Sequence, residues 1–296
     1  MTPFFLMVVG VSAAVGMVAG AVAVPLLANA ALKRAYRRSL KWWNDSLHGF
    51  KRFQMQHTGA CPKPSAAGSE GALGIWLVDA QAQAKRKTLT HERAEALREA
   101  GVTLAPDASA RSEREQARRC SFSPSALQRA ALALACGAWF GALPACGLPV
   151  HLALPLGLCG IAMAAGVVCD VRARMIPLEC CVCLLFAGAV FQLLNAGISG
   201  LVAGLIAAAA VLAVCWVANR IARGMGGSVG QGDVRCMVAL AVASGPASLV
   251  GAAACYIAAS VFSLGGLASR RLRRKDGIPM APFLALWLAF GTVAVH

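Results

Sequence analysis

The chain has 296 residues, 58% of them hydrophobic and only 14% charged, with a mean hydropathy of +0.64. A soluble domain is about one quarter charged, so this composition excludes a water-soluble globular enzyme and a disordered chain alike, and predicts an all-α polytopic membrane protein. The formal net charge of +15 would suggest nucleic acid only if the basic residues formed one face, and their placement along the chain is otherwise.

Residues 1–32 carry no charged side chain, residues 33–129 carry 18 Lys/Arg and 9 Asp/Glu, and residues 130–296 carry 10 and 4. Three parts are therefore expected: a first transmembrane helix over 1–32, a basic cytoplasmic insert over 33–129, and a seven-helix membrane domain over 130–296. A spanning helix needs about 20 apolar residues because lipid offers its amides no partner. Phe4 to Leu32 satisfies this, and Lys33, Arg34, Arg37, Arg38 and Lys41 follow at once. Basic residues mark the cytoplasmic side, so the N-terminus is expected outside. Ala28-Asn29-Ala30 has the small-x-small form of a signal-peptide cleavage site. The absence of a basic residue before the apolar run, and the 18 Lys/Arg that export would carry outward, favour a retained helix.

In the insert, one helix is predicted around Thr90 to Ala100, with Thr90 as its N-cap and Gly101 just past its end. Elsewhere Pro62, Pro64, Gly68, Gly71, Gly74 and Pro106 suggest irregular structure with a modest core. Cys61 and Cys120 are its only cysteines, too few for the four ligands of a structural zinc site, and His48, His57 and His91 are unremarkably spaced. The other ten cysteines sit in or beside apolar spans, where a thiol acts as a small hydrophobe. Cys180 and Cys183 have C-x-x-C spacing but open a predicted helix without a histidine, so packing is expected and no metal.

Beyond the insert, spans are expected near 130–148, 150–169, 176–195, 198–219, 234–248, 249–268 and 279–295, with 234–248 short enough to be partly re-entrant. About eight crossings result. Threaded alternately, they place the insert, Arg172, Arg174, Arg220, Arg223, Arg235 and the run Arg270 to Lys275 on the cytoplasmic side. The net charge thus reads as a membrane-orientation signal with attraction to anionic lipid, and not as nucleic-acid binding.

Four acids lie in the last part: Asp170, Glu179, Asp233 and Asp276. Asp276 balances the adjacent basic run, and Glu179 suits a helix N-terminus. Asp170 and Asp233 each end a hydrophobic span, where a carboxylate is partly desolvated and is either functional or paired with Arg172, Arg174, Arg223 or Arg235. Asp170 precedes a tight turn closed by Ile176-Pro177. Asp233 ends Gly230-Gln231-Gly232-Asp233, after Gly224, Gly226 and Gly227, a run that lets the backbone bend and another chain approach.

Asp-x5-Ile-Pro followed by Gly-x-Gly-Asp resembles the type IV prepilin peptidase family, the GxGD-type membrane aspartic proteases. The stretch Gly277-Ile278-Pro279-Met280-Ala281-Pro282-Phe283-Leu284-Ala285-Leu286 resembles a third segment of that family, with Met280 and Ala281 replacing Phe and Gly. The resemblance covers about residues 130–296. It implies that Asp170 and Asp233 are catalytic and that Ile176, Pro177, Gly230, Gly232, Arg235, Pro279 and Pro282 support them. It also implies cleavage, at the cytoplasmic face of a bacterial inner membrane, of the short basic leader of type IV prepilins or type II secretion pseudopilins. Two close carboxylates can share one proton, activate water and protonate a carbonyl without a metal.

Many family members also N-methylate the new N-terminus, with S-adenosylmethionine as cofactor, and carry two C-x-x-C pairs in the insert. Only Cys61 and Cys120 stand here, so cofactor-free proteolysis is the expectation and methylation stays open. The first span lacks the family's usual G-S-F-L-N stretch, Leu178 replaces an Asn, and Arg235 replaces a Lys with its charge kept. An intramembrane protease of the presenilin or signal-peptide-peptidase type would place its acids within the spans and a Tyr before Asp170. An ion-coupled transporter would place them near the bilayer midplane, and an inactive assembly factor would have no need of both.

Overall fold

A computed structural model describes residues 3–57, 60–85, 87–105, 109–224, 230–269 and 278–293. It is almost wholly helical: α1 (Pro3–Val18), a π-helical turn Ala19–Ala23, α2 (Val24–Gln56), α3 (Gly68–Lys85), α4 (His91–Glu99), α5 (Glu113–Arg119), α6 (Ala126–Ala145), α7 (Val150–Ala173), α8 (Leu178–Gly224), α9 (Gln231–Ser244), α10 (Ser248–Ala268) and α11 (Ala281–Thr292). Among the described residues, five stretches are long and apolar enough to cross a membrane: Phe4–Gln56, Ala126–Ala145, Val150–Ala173, Leu178–Ile221 and Gln231–Ala268; Ala281–Thr292 is apolar but shorter. The chain is an all-α polytopic membrane protein.

Two of those stretches are broken. α8 loses helical geometry at Ala196 and Gly197, where Gly197 takes φ 64° and ψ −151°, so it is two apolar helices joined by a tight corner. α9 and α10 are separated by a 3-10 turn, Gly245–Ala247, with Gly245 at φ 55°. α9 has 14 residues and is about 21 Å long, well short of the ~30 Å hydrocarbon core. Except for the partly buried Val238 it is buried from Cys236 to Ser244, and Gly188 and Gly204 of α8 lie against its Ala243 and Val242. A short helix wrapped by other helices needs no lipid-facing surface, which reconciles its modest length with its apolar sequence.

The chain divides into two units, residues 1–31 with 123–296, and residues 32–122. In the first, α1 meets α6 through facing pairs of glycines. A methyl group on Gly16 would lie 2.5 Å from the Cys136 carbonyl oxygen, one on Gly20 would collide with that of Leu132, and one on Gly137 would lie 2.5 Å from Met17 Cγ. With Gly141, these form two small-xxx-small pairs that bring the backbones together, the packing mode open to helices in lipid. The main core joins Met163, Ile176, Cys181, Leu184, Leu240 and Trp287.

The second unit is more ordered than its glycines and prolines suggest. Thr90 caps α4 by accepting the Arg93 amide at 3.4 Å, and Gly101 follows at φ 77°, as the capping pattern predicts. The expectation of irregular structure elsewhere is corrected by α3 and α5. The glycines of α3 mark close approaches and do not break the helix: a methyl on Gly74 would lie 2.5 Å from Pro64 N, and one on Gly71 would collide with the Ala66 carbonyl. α5 starts at a capping box, Ser112 with Glu115, whose Ser-x-x-Glu spacing is present in the sequence. Trp43 and Trp76, ring centres 5.1 Å apart, anchor the core with Phe50, Leu89 and Leu97. Above it, Glu113 accepts from Arg93 Nε at 2.6 Å and from Thr90 Oγ1 at 3.0 Å. Burial disfavours its charge, but the hydrogen bond from Tyr36 and the Arg93 guanidinium outweigh it, so the Glu113 carboxyl is held below its ordinary value.

Candidate active site

Asp170 lies in the last turn of α7 and is 5% exposed. The helix stops because Arg174 turns left-handed, φ 53° and ψ 41°, with its amide on the Asp170 carbonyl at 2.8 Å. Three residues later Pro177, buried beside Ile176, leads into α8; its missing N–H falls where a helix start leaves donors unpaired in any case. The turn is thus set by local sequence, and it fixes the direction in which Asp170 leaves the helix.

Asp233 stands in the first turn of α9, half-buried, after an extended Gly230 at φ −61° and ψ 132°. Its carboxylate folds back over that glycine: a methyl on Gly230 would lie 2.7 Å from Asp233 Oδ2. Gly232 faces the other loop, where a methyl would come within 3.3 Å of the Ile176 carbonyl oxygen and 3.4 Å of its amide nitrogen. The Asp-x5-Ile-Pro and Gly-x-Gly-Asp turns are therefore apposed, and the two carboxylates lie within electrostatic reach of each other. The glycine pair has a division of labour, one making room for the acid and one for the neighbouring turn. Gly230→Ala is accordingly expected to displace the Asp233 carboxylate and lower any activity that depends on it by about tenfold or more, with thermal stability nearly kept because only a side-chain end must move; an unchanged rate would show that its position is not critical.

The third segment also reaches the site. Asp170 Oδ2 accepts the Ala281 amide at 2.9 Å, and the Met280 amide faces the same carboxylate. Pro282 is the second residue of α11 and Pro279 precedes the helix. Arg235, exposed one turn into α9, donates Nη2 to Gln231 Oε1 at 3.5 Å. Glu179 is in the first turn of α8, where a negative charge is favourable. Gly226, Gly227, Asp276 and the run Arg270 to Lys275 lie outside the described residues, as does the side chain of Arg223.

Two features of the site have little signal in the sequence. One is the main-chain donor set of Met280 and Ala281, signalled only by the Pro-x-x-Pro spacing. The other is a thiol pair: Cys181 on α8 and Cys236 on α9 are both buried and, with Cys180 and Ile176, line one small apolar pocket. Cys180 is buried and Cys183 exposed, so the C-x-x-C pair looks into different surroundings; among the described residues no three His, Cys, Asp or Glu side chains converge on a metal position. In the second unit Cys61 is exposed and Cys120 buried.

Residues 156–269 match the model of the type IV leader peptidase family, a stretch that holds both aspartates, Ile176-Pro177 and the Gly-x-Gly-Asp turn. No curated protein and no solved structure matches the chain.

Proposed function

Starting from a chain that belongs, over residues 156–269, to the type IV leader peptidase family, we propose that it is an aspartic endopeptidase acting through Asp170 and Asp233. The observation that carries the proposal is the apposition of two acids 63 positions apart in sequence, one 5% exposed and fixed by a main-chain amide, the other within its electrostatic reach. In an aspartic-protease mechanism one carboxyl of such a pair carries a proton while the other is ionised. The unprotonated one takes a proton from water as the water attacks the scissile carbonyl, and its partner protonates the carbonyl oxygen. Each transfer is worth about 10²- to 10⁴-fold. Water is the only co-reactant, and no step draws on a metal or on S-adenosylmethionine.

The substrate in this proposal is a type IV prepilin or type II secretion pseudopilin, cut between its short basic leader and the apolar helix that follows. Charge distribution supports a bacterial inner-membrane protein with eight crossings, its N-terminus outside and the insert and both aspartates at the cytoplasmic face. There the dyad meets a peptide bond that enters the membrane from the cytoplasm. The partners are that substrate and the surrounding lipid; nucleic acid has no place in the scheme.

Incubating the purified full chain in detergent with a synthetic peptide, a basic leader ending in Gly before an apolar helical segment, should yield two fragments split after the Gly. Mass spectrometry of the longer fragment would also register an added methyl group. An uncut peptide in the presence of folded protein would overturn the assignment.

A further inference from the structure

We infer that the N-terminus of α11 is a positioning device that fixes Asp170 as the proton acceptor of the pair and leaves Asp233 as the proton carrier; this rests on the endopeptidase reading above. The first amides of a helix have no partner within it and stabilise negative charge placed before them. Here the sequence narrows that set. Pro279 and Pro282 have no N–H, and the amides of Phe283 and Leu284 are both taken by the Met280 carbonyl at 3.0 Å. The amides of Met280 and Ala281 are left, and both face Asp170, the latter at 2.9 Å from Oδ2.

Asp233 has no such support among the described residues. Among the described residues no hydrogen-bond donor reaches its carboxylate, which rests against Gly230 and feels the charge of Asp170. Donation from the main-chain N–H groups and the positive charge of Arg174 both favour the ionised form of Asp170, so the negative charge of the pair is placed on Asp170 and the proton on Asp233. The free oxygen of Asp170 then takes a proton from water while the water oxygen bonds to the scissile carbonyl carbon, and the Asp233 proton passes to the carbonyl oxygen. On collapse the C–N bond breaks, the departing nitrogen takes the proton from Asp170, and Asp233 recovers one from a hydroxyl of the adduct. The pair returns to its starting state, with one water consumed.

The same segment is thereby given a physical role. A donor at residue 280 or 281 that pointed elsewhere would leave Asp170 a buried charge without compensation, and further free donors in the first turn would compete for the water. Proline at 279 and 282 removes both neighbouring donors. Ala281 is fully buried, so its place leaves little room for a larger side chain.

The test removes the one amide. Ala281→Pro deletes the N–H at the first helical position, where proline is tolerated, and Ala281→Gly keeps the N–H as the matched control. Incorporating lactic acid at 281, which exchanges N–H for an ester oxygen and leaves the methyl in place, covers the case in which proline disturbs folding. Cleavage of the leader-plus-helix peptide is measured against pH for each. In the proline and ester variants the acidic limb of kcat should move to higher pH by about one unit, with the rate at neutral pH reduced about tenfold; in the glycine variant, which keeps the N–H, the acidic limb should stay at its wild-type position whatever its rate. An ester variant whose acidic limb stays in place, whether its rate falls or not, would overturn the inference. Asp170→Asn measured in parallel separates the two levels: normal processing by it would defeat the endopeptidase reading itself, whereas an inactive Asp170→Asn beside an unshifted ester variant would defeat only the positioning role.

Discussion

Asp170→Asn and Asp233→Asn are each expected to lower cleavage of the leader-plus-helix peptide by at least about 10³-fold, while membrane insertion and thermal stability are retained. The expectation follows from what an amide can and cannot replace. Asn at 170 has the size of Asp and still presents an oxygen to the Ala281 amide, which lies 2.9 Å from the native Oδ2, so the contact with α11 survives. It cannot take a proton from water. Asn at 233 fits the same space over Gly230 but has no acidic proton to give. In the proposed dyad each acid works only through the other, so the double mutant should be little worse than either single one. Mass-spectrometric rates with purified variants check both statements. Wild-type processing by either single mutant would dispose of the dyad, and a double mutant slower by the product of the single effects would mean that the two acids act independently.

The fold was legible in the sequence wherever lipid imposes its own constraint. Apolar runs, basic clusters and glycine corners fall where α6 to α11 begin, end or break, because a helix in hydrocarbon must be long, apolar and internally hydrogen-bonded. The hydrophilic insert obeys no such rule. There Gly71 and Gly74 look like breaks in the sequence but are points of backbone contact inside α3, and the first helix runs on to Gln56, well past the end of the uncharged apolar run at 32. Of the candidate site, residue types and spacing mark the two acids and their turns as unusual for a span, and it is the resemblance to the peptidase family that singles them out as a catalytic pair. The Asp170–Ala281 bond could not, since a main-chain donor has no letter of its own and shows only as the absence of competing donors at Pro279 and Pro282. The thiol pair of Cys181 and Cys236 was equally hidden, because cysteine in a small-residue span reads as packing.

Single alanine substitutions at the four glycines between α1 and α6 should separate sharply, with Gly20→Ala and Gly16→Ala costing about 2–4 kcal/mol and Gly137→Ala and Gly141→Ala about 1 kcal/mol or less. The difference lies in what each added methyl meets. At Gly20 it meets the Leu132 carbonyl and the Ala133 Cα, and at Gly16 the Cys136 carbonyl at 2.5 Å, all backbone of a helix that cannot retreat without separating from α1. At Gly137 it meets Met17 Cγ, which a change of rotamer can move, and the nearest backbone atom, the Ala13 carbonyl oxygen, is 3.2 Å away; at Gly141 it is 3.2 Å from the Ala13 methyl, and both 3.2 Å contacts are relieved by a few tenths of an ångström. The consequence extends toward the site, because α1 leads into the segment where the Ala28 carbonyl accepts the Cys169 thiol at 3.7 Å, one residue before Asp170. Gly20→Ala should therefore lower both the unfolding midpoint in detergent and the cleavage rate, whereas Gly141→Ala should leave both near wild type. Thermal unfolding of the four purified variants, followed by the peptide assay, tests the order; equal stabilities across the set would show that α1 and α6 are held together by something other than the close approach of these glycines.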